Sequence, residues 1–296
     1  MRWARRVARR GRTRLHLISV LTAVGVFAVV ALIPATSGAA GETWRSLRSV
    51  LHTTAKITKT AKTTTHAPAR AAAPAVMTNG QPFDGVAPVG ALFTENSGKL
   101  GSHFCTASVV QSPHGDLAVT AAHCVTGVAS QIAFVPGYAN GTEPYGIWQV
   151  TKVYTDQAWQ TSQDPDDDVA FLQLSSTSGA TQPIEQVTGA EQLATGAPAR
   201  QLVQVIGYPD GADQPVSCLN WAKVFSPTQL EFDCGGYPNG TSGGPFLAGV
   251  SGSTGQGTVI GVIGGYEQGG DTPQVSYSVA FGAAVAGLYQ TAESSS

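Results

Sequence analysis

Short apolar runs broken by turn-forming residues make up most of the chain from about residue 77 onward. The runs at 103–110, 201–207 and 258–263 have the length of strands, and Gly, Pro, Asn and Asp cluster between such runs. Stripes with a 3.6-residue period are nearly absent here, and the sequence contains 35 glycines. This pattern predicts an all-β sandwich or barrel. One short C-terminal helix is expected at 278–289.

The N-terminal part has a different composition. Residues 1–14 contain seven arginines and no acidic residue, 15–33 are mostly apolar, and small residues follow at 35–40. This layout predicts a secretory signal peptide over 1–40, with an uncleaved membrane anchor as the alternative. The paired arginines at 5–6 and 9–10 hint at twin-arginine export. Residues 41–76, rich in Ala, Thr and Lys, are predicted to be a disordered propeptide or linker. The remaining segment, 77–296, is predicted to be one domain of two β halves that meet near 165–185.

Charge is distributed unevenly along the chain. Of the 17 basic and 19 acidic residues, 13 basic residues and one acidic residue lie within 1–76. The segment 77–296 therefore has 4 basic and 18 acidic residues, a net charge of −14. Such acidity argues against nucleic acid as a partner, because binding it relies on neutralising phosphates. We expect a secreted, extracellular monomer that has no membrane contact once the signal peptide is removed.

Three stretches carry residue types used in nucleophilic catalysis. Ser242 lies among glycines in G-T-S-G-G-P, where the backbone can approach a reacting carbonyl closely. His123 ends T-A-A-H, and Asp168 directly precedes V-A-F-L. A serine hydroxyl needs a base to take its proton and a group that orients that base. The three residues are therefore candidates for nucleophile, base and orienting acid.

The order and context of these residues resemble the chymotrypsin-like serine proteases, over residues 86–289. The motifs T-A-A-H-C, D-V-A-F-L and G-T-S-G-G-P match that family, and the chain looks closer to its bacterial glutamyl-endopeptidase-like branch than to animal digestive enzymes. The resemblance implies two antiparallel six-stranded β-barrels with the site at their junction. It also implies a serine endopeptidase acting on protein or peptide substrates, with Ser242 as nucleophile, His123 as base and Asp168 as orienting acid. Neither a cofactor nor a metal ion is expected.

Four cysteines lie between residues 105 and 234, an even number that suggests two disulfides in a secreted chain. The resemblance implies that Cys105 pairs with Cys124, beside the candidate base. Cys218 and Cys234 then remain to pair with each other across a hairpin.

The resemblance also implies an oxyanion hole formed by the N–H groups of Gly240 and Ser242. The residue before the serine is Thr241, whereas family members activated by cleavage carry an aspartate there. Threonine cannot form the ion pair with a newly freed N-terminus. The activation switch of the digestive enzymes is therefore not expected.

The candidate substrate pocket consists of Gly236, Ile263, Gly264 and Tyr266. Gly236 stands where trypsin-type enzymes have an aspartate, and Ile263 where glutamyl endopeptidases have a histidine. Cleavage after Lys or Arg is therefore disfavoured, and small or medium apolar side chains are expected. Gly264-Gly265-Tyr266 replaces the usual Ser-Trp-Gly, so the support of the acid and the role of Tyr266 stay open.

The same residues allow other interpretations. A nucleophile elbow of the α/β-hydrolase type requires a histidine after the serine, and none of the six histidines follows Ser242. A catalytically inert binding protein and an esterase using the same residues remain alternatives. Asp164, Asp166 and Asp167 offer clustered oxygens of the kind Ca²⁺ prefers, although a solvated acidic loop is the favoured interpretation.

Overall fold

The computed structural model describes residues 75–126 and 129–295. The predicted signal peptide and nearly all of the predicted linker lie outside the described residues. Within the described part are fourteen β-strands and three α-helices. None of these helices has both the length and the apolar character that a membrane span requires.

Six antiparallel strands close the first barrel, with neighbours in the order β2-β3-β4-β7-β6-β5. After the short β1 (Gln81–Pro82), they are β2 (Val89–Asn96), β3 (Lys99–Val110), β4 (Leu117–Thr120), β5 (Ile132–Pro136), β6 (Trp148–Thr155) and β7 (Ala170–Ser176). Successive side chains of a strand point to opposite faces. In β4, Ala118 accordingly packs inside the barrel, while Leu117 and Val119 pack toward the second half of the molecule.

The second sheet has the order β14-β11-β10-β9-β12-β13-β8, and β1 pairs with β10. Its strands are β8 (Gln192–Leu193), β9 (Gln201–Gly207), β10 (Val216–Val224), β11 (Gln229–Asp233), β12 (Pro245–Ala248), β13 (Thr258–Val262) and β14 (Val275–Val279). A bridge between Ile263 and Ser278 brings the end of β13 against β14. The predicted chymotrypsin-like all-β fold is thereby confirmed, although this second sheet has eight strands instead of six, because it includes β1 and the parallel strand β8.

Three apolar clusters fill this architecture. One lies inside the first barrel around Phe134 and Leu172, and one inside the second around Phe232 and Phe246. The third joins residues of both halves and includes the fully buried Tyr208. The candidate site residues are therefore carried by two β halves, each with its own apolar core, that share an apolar seam.

The helices are α1 (Gln157–Ser162), α2 (Ile184–Thr188) and α3 (Ala283–Ser295). The C-terminal helix was predicted to begin at residue 278, and this start is wrong. Ser278 and Val279 belong to β14 and pair with β11. A strand forms here instead of a helix because Ser276, Ser278 and Val279 are buried within the second sheet. The helix begins only at Ala283.

Both disulfides are present in the expected pairing. Cys105 of β3 is bonded to Cys124, with 6.1 Å between their Cα atoms. Cys218 of β10 is bonded to Cys234, with 6.6 Å between their Cα atoms. The first disulfide fastens the short 3-10 turn Ala122–Val125, which carries His123, to the wall of the first barrel.

Candidate active site

A buried carboxylate fixes the histidine. Asp168 is fully buried two residues before the start of β7, and its Oδ2 lies 2.7 Å from His123 Nδ1. Its Oδ1 accepts a hydrogen bond of 2.8 Å from the backbone N–H of His123. Because Nδ1 faces a carboxylate, this nitrogen carries the proton of the neutral ring and Nε2 is the basic atom. The His123 side chain keeps 14% of its surface exposed, so the ring is both held and accessible.

A third donor to Asp168 comes from the glycines that replace Ser-Trp-Gly. The backbone N–H of Gly265 donates to Asp168 Oδ2 at 2.8 Å. Gly264 packs against the same carboxylate, since a Cβ placed on it would lie 3.0 Å from Asp168 Oδ2. The sequence left open which group would hydrogen-bond to the Asp168 carboxylate in place of the usual serine. In the structure a backbone N–H does so.

The side chain of Gln229 hydrogen-bonds to both segments that flank the Asp168 carboxylate. Its Oε1 accepts from the N–H of Tyr266 at 3.2 Å, and its Nε2 donates to Asp166 Oδ1 at 2.7 Å and to Pro165 O at 3.0 Å. The residue is buried. It therefore joins the turn before Asp168 to the segment that supplies the Gly265 donor, a role that no sequence motif announces.

The acidic loop has structural uses for two of its carboxylates. Asp164 accepts from the N–H of Asp166 and caps the 3-10 turn Pro165–Asp167, while Asp166 accepts from Gln229. Burial, together with the negative charges of Asp156, Asp164 and Asp166, raises the pKa of Asp167. These contacts agree with the favoured interpretation of a structured, partly solvated loop.

In the segment around Ser242, the N–H groups of Thr241 and Gly243 donate to Pro238 O and Ile263 O, whereas those of Gly240 and Ser242 do not point into the protein. The carbonyls of Asn239, Gly240 and Ser242 accept hydrogen bonds from Asp210 and Thr106, and that of Thr241 accepts from Gly244 within the loop. In a trans peptide the N–H points opposite to the carbonyl. Among the described residues, the N–H groups of Gly240 and Ser242 donate to no protein atom. They are therefore free to bind an oxygen anion at the cavity.

Gly240 is required by this geometry. Its φ is +91°, and a Cβ on it would lie 2.5 Å from both Asp210 N and Tyr208 O. Gly243, next to the serine, would bring a Cβ to 2.1 Å from Thr106 O. The glycines of the G-T-S-G-G-P motif thus permit close packing of the loop on the barrels.

His123, Gly240 and Ser242 line one cavity of about 910 Å³. Of the four predicted pocket residues, Ile263 lines this cavity, whereas Gly236, Gly264 and Tyr266 are not in its wall. The remaining wall comes instead from residues 104–105, 124, 126, 210, 237–242 and 267–273. Tyr266 is turned aside, with its ring centroid 4.8 Å from that of Phe225 and 5.0 Å from that of Tyr277.

The cavity wall is acidic. Asp210, Glu267 and Asp271 line it, and no Lys or Arg of the described residues does. A hydrogen bond to Glu267 and the charge of that carboxylate raise the pKa of Tyr266. Sequence reasoning missed these three carboxylates, because they come from two separate loops without a recognisable motif.

One group of metal-binding residue types lies at the site. Ligand atoms of Cys105, His123 and Cys124 are within 4.8 Å of one another. Both sulfurs are bonded to each other in the disulfide. They therefore offer no thiolate, which is the form of cysteine that ligates metals.

The motif resemblance and this geometry agree with the comparison to known families. A model of the trypsin-like peptidase domain matches residues 105–277, more than half of the chain. The chain belongs to the trypsin-like peptidase family. No curated protein matches it.

Solved structures of bacterial serine proteases are similar in fold. The protease Anisep from Arthrobacter nicotinovorans is 25% identical, with a TM-score of 0.62 over 73% of this chain and 99% of that chain. The thermostable serine protease AL20 from an extremophilic microorganism is 24% identical, with a TM-score of 0.59 over 71% and 98%. A Glu endopeptidase is 17% identical, with a TM-score of 0.56 over 74% and 100%. The last two comparisons concern the fold alone.

Proposed function

We propose that this trypsin-like peptidase is a secreted serine endopeptidase that cleaves peptide bonds through an acyl-enzyme. The observation that carries the proposal is the pairing of buried Asp168 with His123 at a cavity that Ser242 also lines. The free N–H groups of Gly240 and Ser242 add the donors that an oxyanion needs.

The chemistry follows from these groups. His123 Nε2 takes the proton of Ser242 Oγ as the oxygen attacks the substrate carbonyl carbon. The N–H groups of Gly240 and Ser242 stabilise the negative charge on the carbonyl oxygen. The protonated ring, stabilised by Asp168, then gives its proton to the leaving amine, and the C–N bond breaks. Water, deprotonated by the same ring, hydrolyses the ester and restores the serine.

Export is supported by two independent features. Residues 1–40 have the layout of a signal peptide, and the described part contains two disulfides and no free cysteine. Disulfides persist in oxidising compartments outside the cytosol. We therefore place the mature protein outside the cell.

The acidic wall of the cavity bears on the substrate. One protein of similar fold is a Glu endopeptidase, but carboxylates at Asp210, Glu267 and Asp271 repel a glutamate side chain. Complementary charge raises association rates and suppresses wrong partners. We therefore propose neutral or cationic peptide segments as substrates and not acidic ones.

The test is active-site labelling of the secreted protein recovered from the medium of an expressing host. A fluorophosphonate probe should label the wild type but not Ser242→Ala, and casein should be cleaved by the wild type alone. Labelling with turnover of a matched ester but not its amide would instead favour an esterase. A folded protein that takes no label would favour the inert binding protein.

A further inference from the structure

The loop that carries the candidate oxyanion donors is held by four hydrogen bonds to its carbonyls. Asn239 O accepts from Asp210 N at 2.8 Å, and Thr241 O accepts from Gly244 N at 3.0 Å. Gly240 O accepts from the Thr106 hydroxyl at 3.1 Å, and Ser242 O accepts from Thr106 N at 2.7 Å. Three of these four donors are backbone N–H groups. The Thr106 hydroxyl is the one side chain among them.

Thr106 reaches this loop from the opposite barrel. It lies in β3 of the first barrel, next to Cys105, and is fully buried. Its hydroxyl also accepts from the N–H of Tyr208 at 2.9 Å, directly after β9 of the second barrel. Its own carbonyl accepts from the Thr120 hydroxyl at 2.7 Å. One small side chain therefore satisfies two polar backbone groups of the second barrel while it is anchored in the first.

The bonded carbonyl lies between the two candidate donors. Gly240 O belongs to the peptide unit that separates the N–H of Gly240 from the N–H of Ser242. Rotation of this unit changes ψ of Gly240 and φ of Thr241. A glycine resists such rotation least, because it has no Cβ. The hydroxyl of Thr106 thus restrains this peptide unit at the glycine carbonyl, while the N–H of the same unit, on Thr241, donates to Pro238 O at 3.3 Å.

We propose that Thr106 is a positioning residue. Its hydroxyl orients the Gly240–Thr241 peptide and, through this peptide, the N–H groups of the oxyanion hole. The inference rests on the proposed peptidase function. Loss of one oxyanion donor lowers kcat by about 10²–10³, and a misplacement of about 1 Å also has large effects on rate. Removing the hydroxyl should therefore lower kcat by roughly 10- to 100-fold, with a change in KM of less than about threefold.

The matched variants are Thr106→Val, which keeps the shape, and Thr106→Ser, which keeps the hydroxyl. The valine variant should lose kcat, and the serine variant should stay within about threefold of the wild type. Thr188→Val is the control, because Thr188 is also a buried threonine whose hydroxyl bonds to a carbonyl, Ile184 O, away from the cavity. If Thr106→Val does not fold, Thr106→Ala against Thr106→Ser gives the same comparison of hydroxyl present or absent.

A binding measurement separates positioning from general damage. A peptidyl trifluoromethyl ketone forms a tetrahedral adduct whose oxyanion needs the two N–H donors, whereas a substrate-like product peptide does not. In the valine variant, the inhibition constant of the ketone should rise by the same factor by which kcat falls. The inhibition constant of the product peptide should stay unchanged. Equal losses for both inhibitors, or a stability loss with unchanged kcat, would overturn the proposal. Failure of the wild type to take the fluorophosphonate label would instead refute the peptidase function.

Discussion

Replacing Glu191 with glutamine should change how the stability of the protein depends on pH. Glu191 lies between the two barrels and is fully buried. Its backbone N–H donates to Val109 O of β3 at 2.9 Å, and its Oε2 accepts from the N–H of Gly257. Its Oε1 has no partner among the described residues. Burial raises the pKa of this carboxyl from 4.5 to about 7, although the Gly257 hydrogen bond lowers it.

The size of the effect follows from linkage between protonation and folding. Below about pH 4.5 the carboxyl is protonated in both states, so folding carries no ionisation cost. As the pH rises from about 4.5 to about 7, the unfolded chain loses the proton while the folded protein keeps it, and stability falls. Above about pH 7 the full cost applies. A pKa of about 7 against 4.5, at about 1.4 kcal/mol per pKa unit, gives a full ionisation cost of about 3–4 kcal/mol.

Glutamine has no such dependence. The unfolding free energy of Glu191→Gln minus that of the parent should therefore rise by about 3 kcal/mol between about pH 4 and pH 8. Guanidinium unfolding at several pH values measures it, in a Ser242→Ala background that prevents self-cleavage. Glu185→Gln is the control, because Glu185 is a half-buried carboxylate nearby that accepts from Ser112 N. A difference that stays constant with pH would refute the reasoning.

Three further predictions use the same protein. Gly265→Ala places a side chain at φ +79° and its Cβ 2.3 Å from Gln229 Oε1, which should cost about 1–3 kcal/mol of stability and lower kcat/KM by displacing a donor to Asp168. Thermal unfolding and peptidase assays test this, and an unchanged kcat/KM would contradict it. Replacing both Cys218 and Cys234 by serine removes a disulfide whose cysteines are 16 residues apart and should lower the free energy of unfolding by about 3 kcal/mol. Denaturant unfolding with and without reductant measures this loss, and a double variant as stable as the parent would count against it. Peptides with flanking Lys should exceed Glu-flanked counterparts in kcat/KM, by a margin that shrinks with salt; an equal or reversed preference would refute the charge argument.

Local motifs predicted the chemical groups of the site because each has its own sequence context. His123 is fixed by its turn and the adjacent disulfide, and Asp168 by its place before a buried strand. Only the joint order of the three motifs, and not any one of them, distinguished the chymotrypsin-like arrangement from an α/β-hydrolase. The structure brings His123 and Asp168 to 2.7 Å and places Ser242 on the same cavity.

The sequence could not predict the groups that act across the barrel junction. Gly265 supports Asp168 through its backbone N–H, which every residue except proline possesses. Gln229 and Thr106 lie far from their partners along the chain, and nothing in their neighbourhoods marks them. The sequence left the role of Tyr266 open, and in the structure its ring packs on Phe225 and Tyr277 and does not line the cavity.

The groups proposed to act in catalysis come from both β halves, and this affects how the site responds to mutation. His123, Asp168 and the Cys105–Cys124 disulfide belong to the first barrel, whereas Ser242 and its N–H donors belong to the second. Each half has its own apolar core, and a third apolar cluster packs the two halves against each other, so only a displacement small enough to keep these contacts costs little stability. Catalysis by groups from both halves is far more sensitive to distance. Substitutions at the seam, with Thr106 as the first example, should therefore lower kcat before they lower the melting temperature, whereas substitutions inside either barrel should do the reverse.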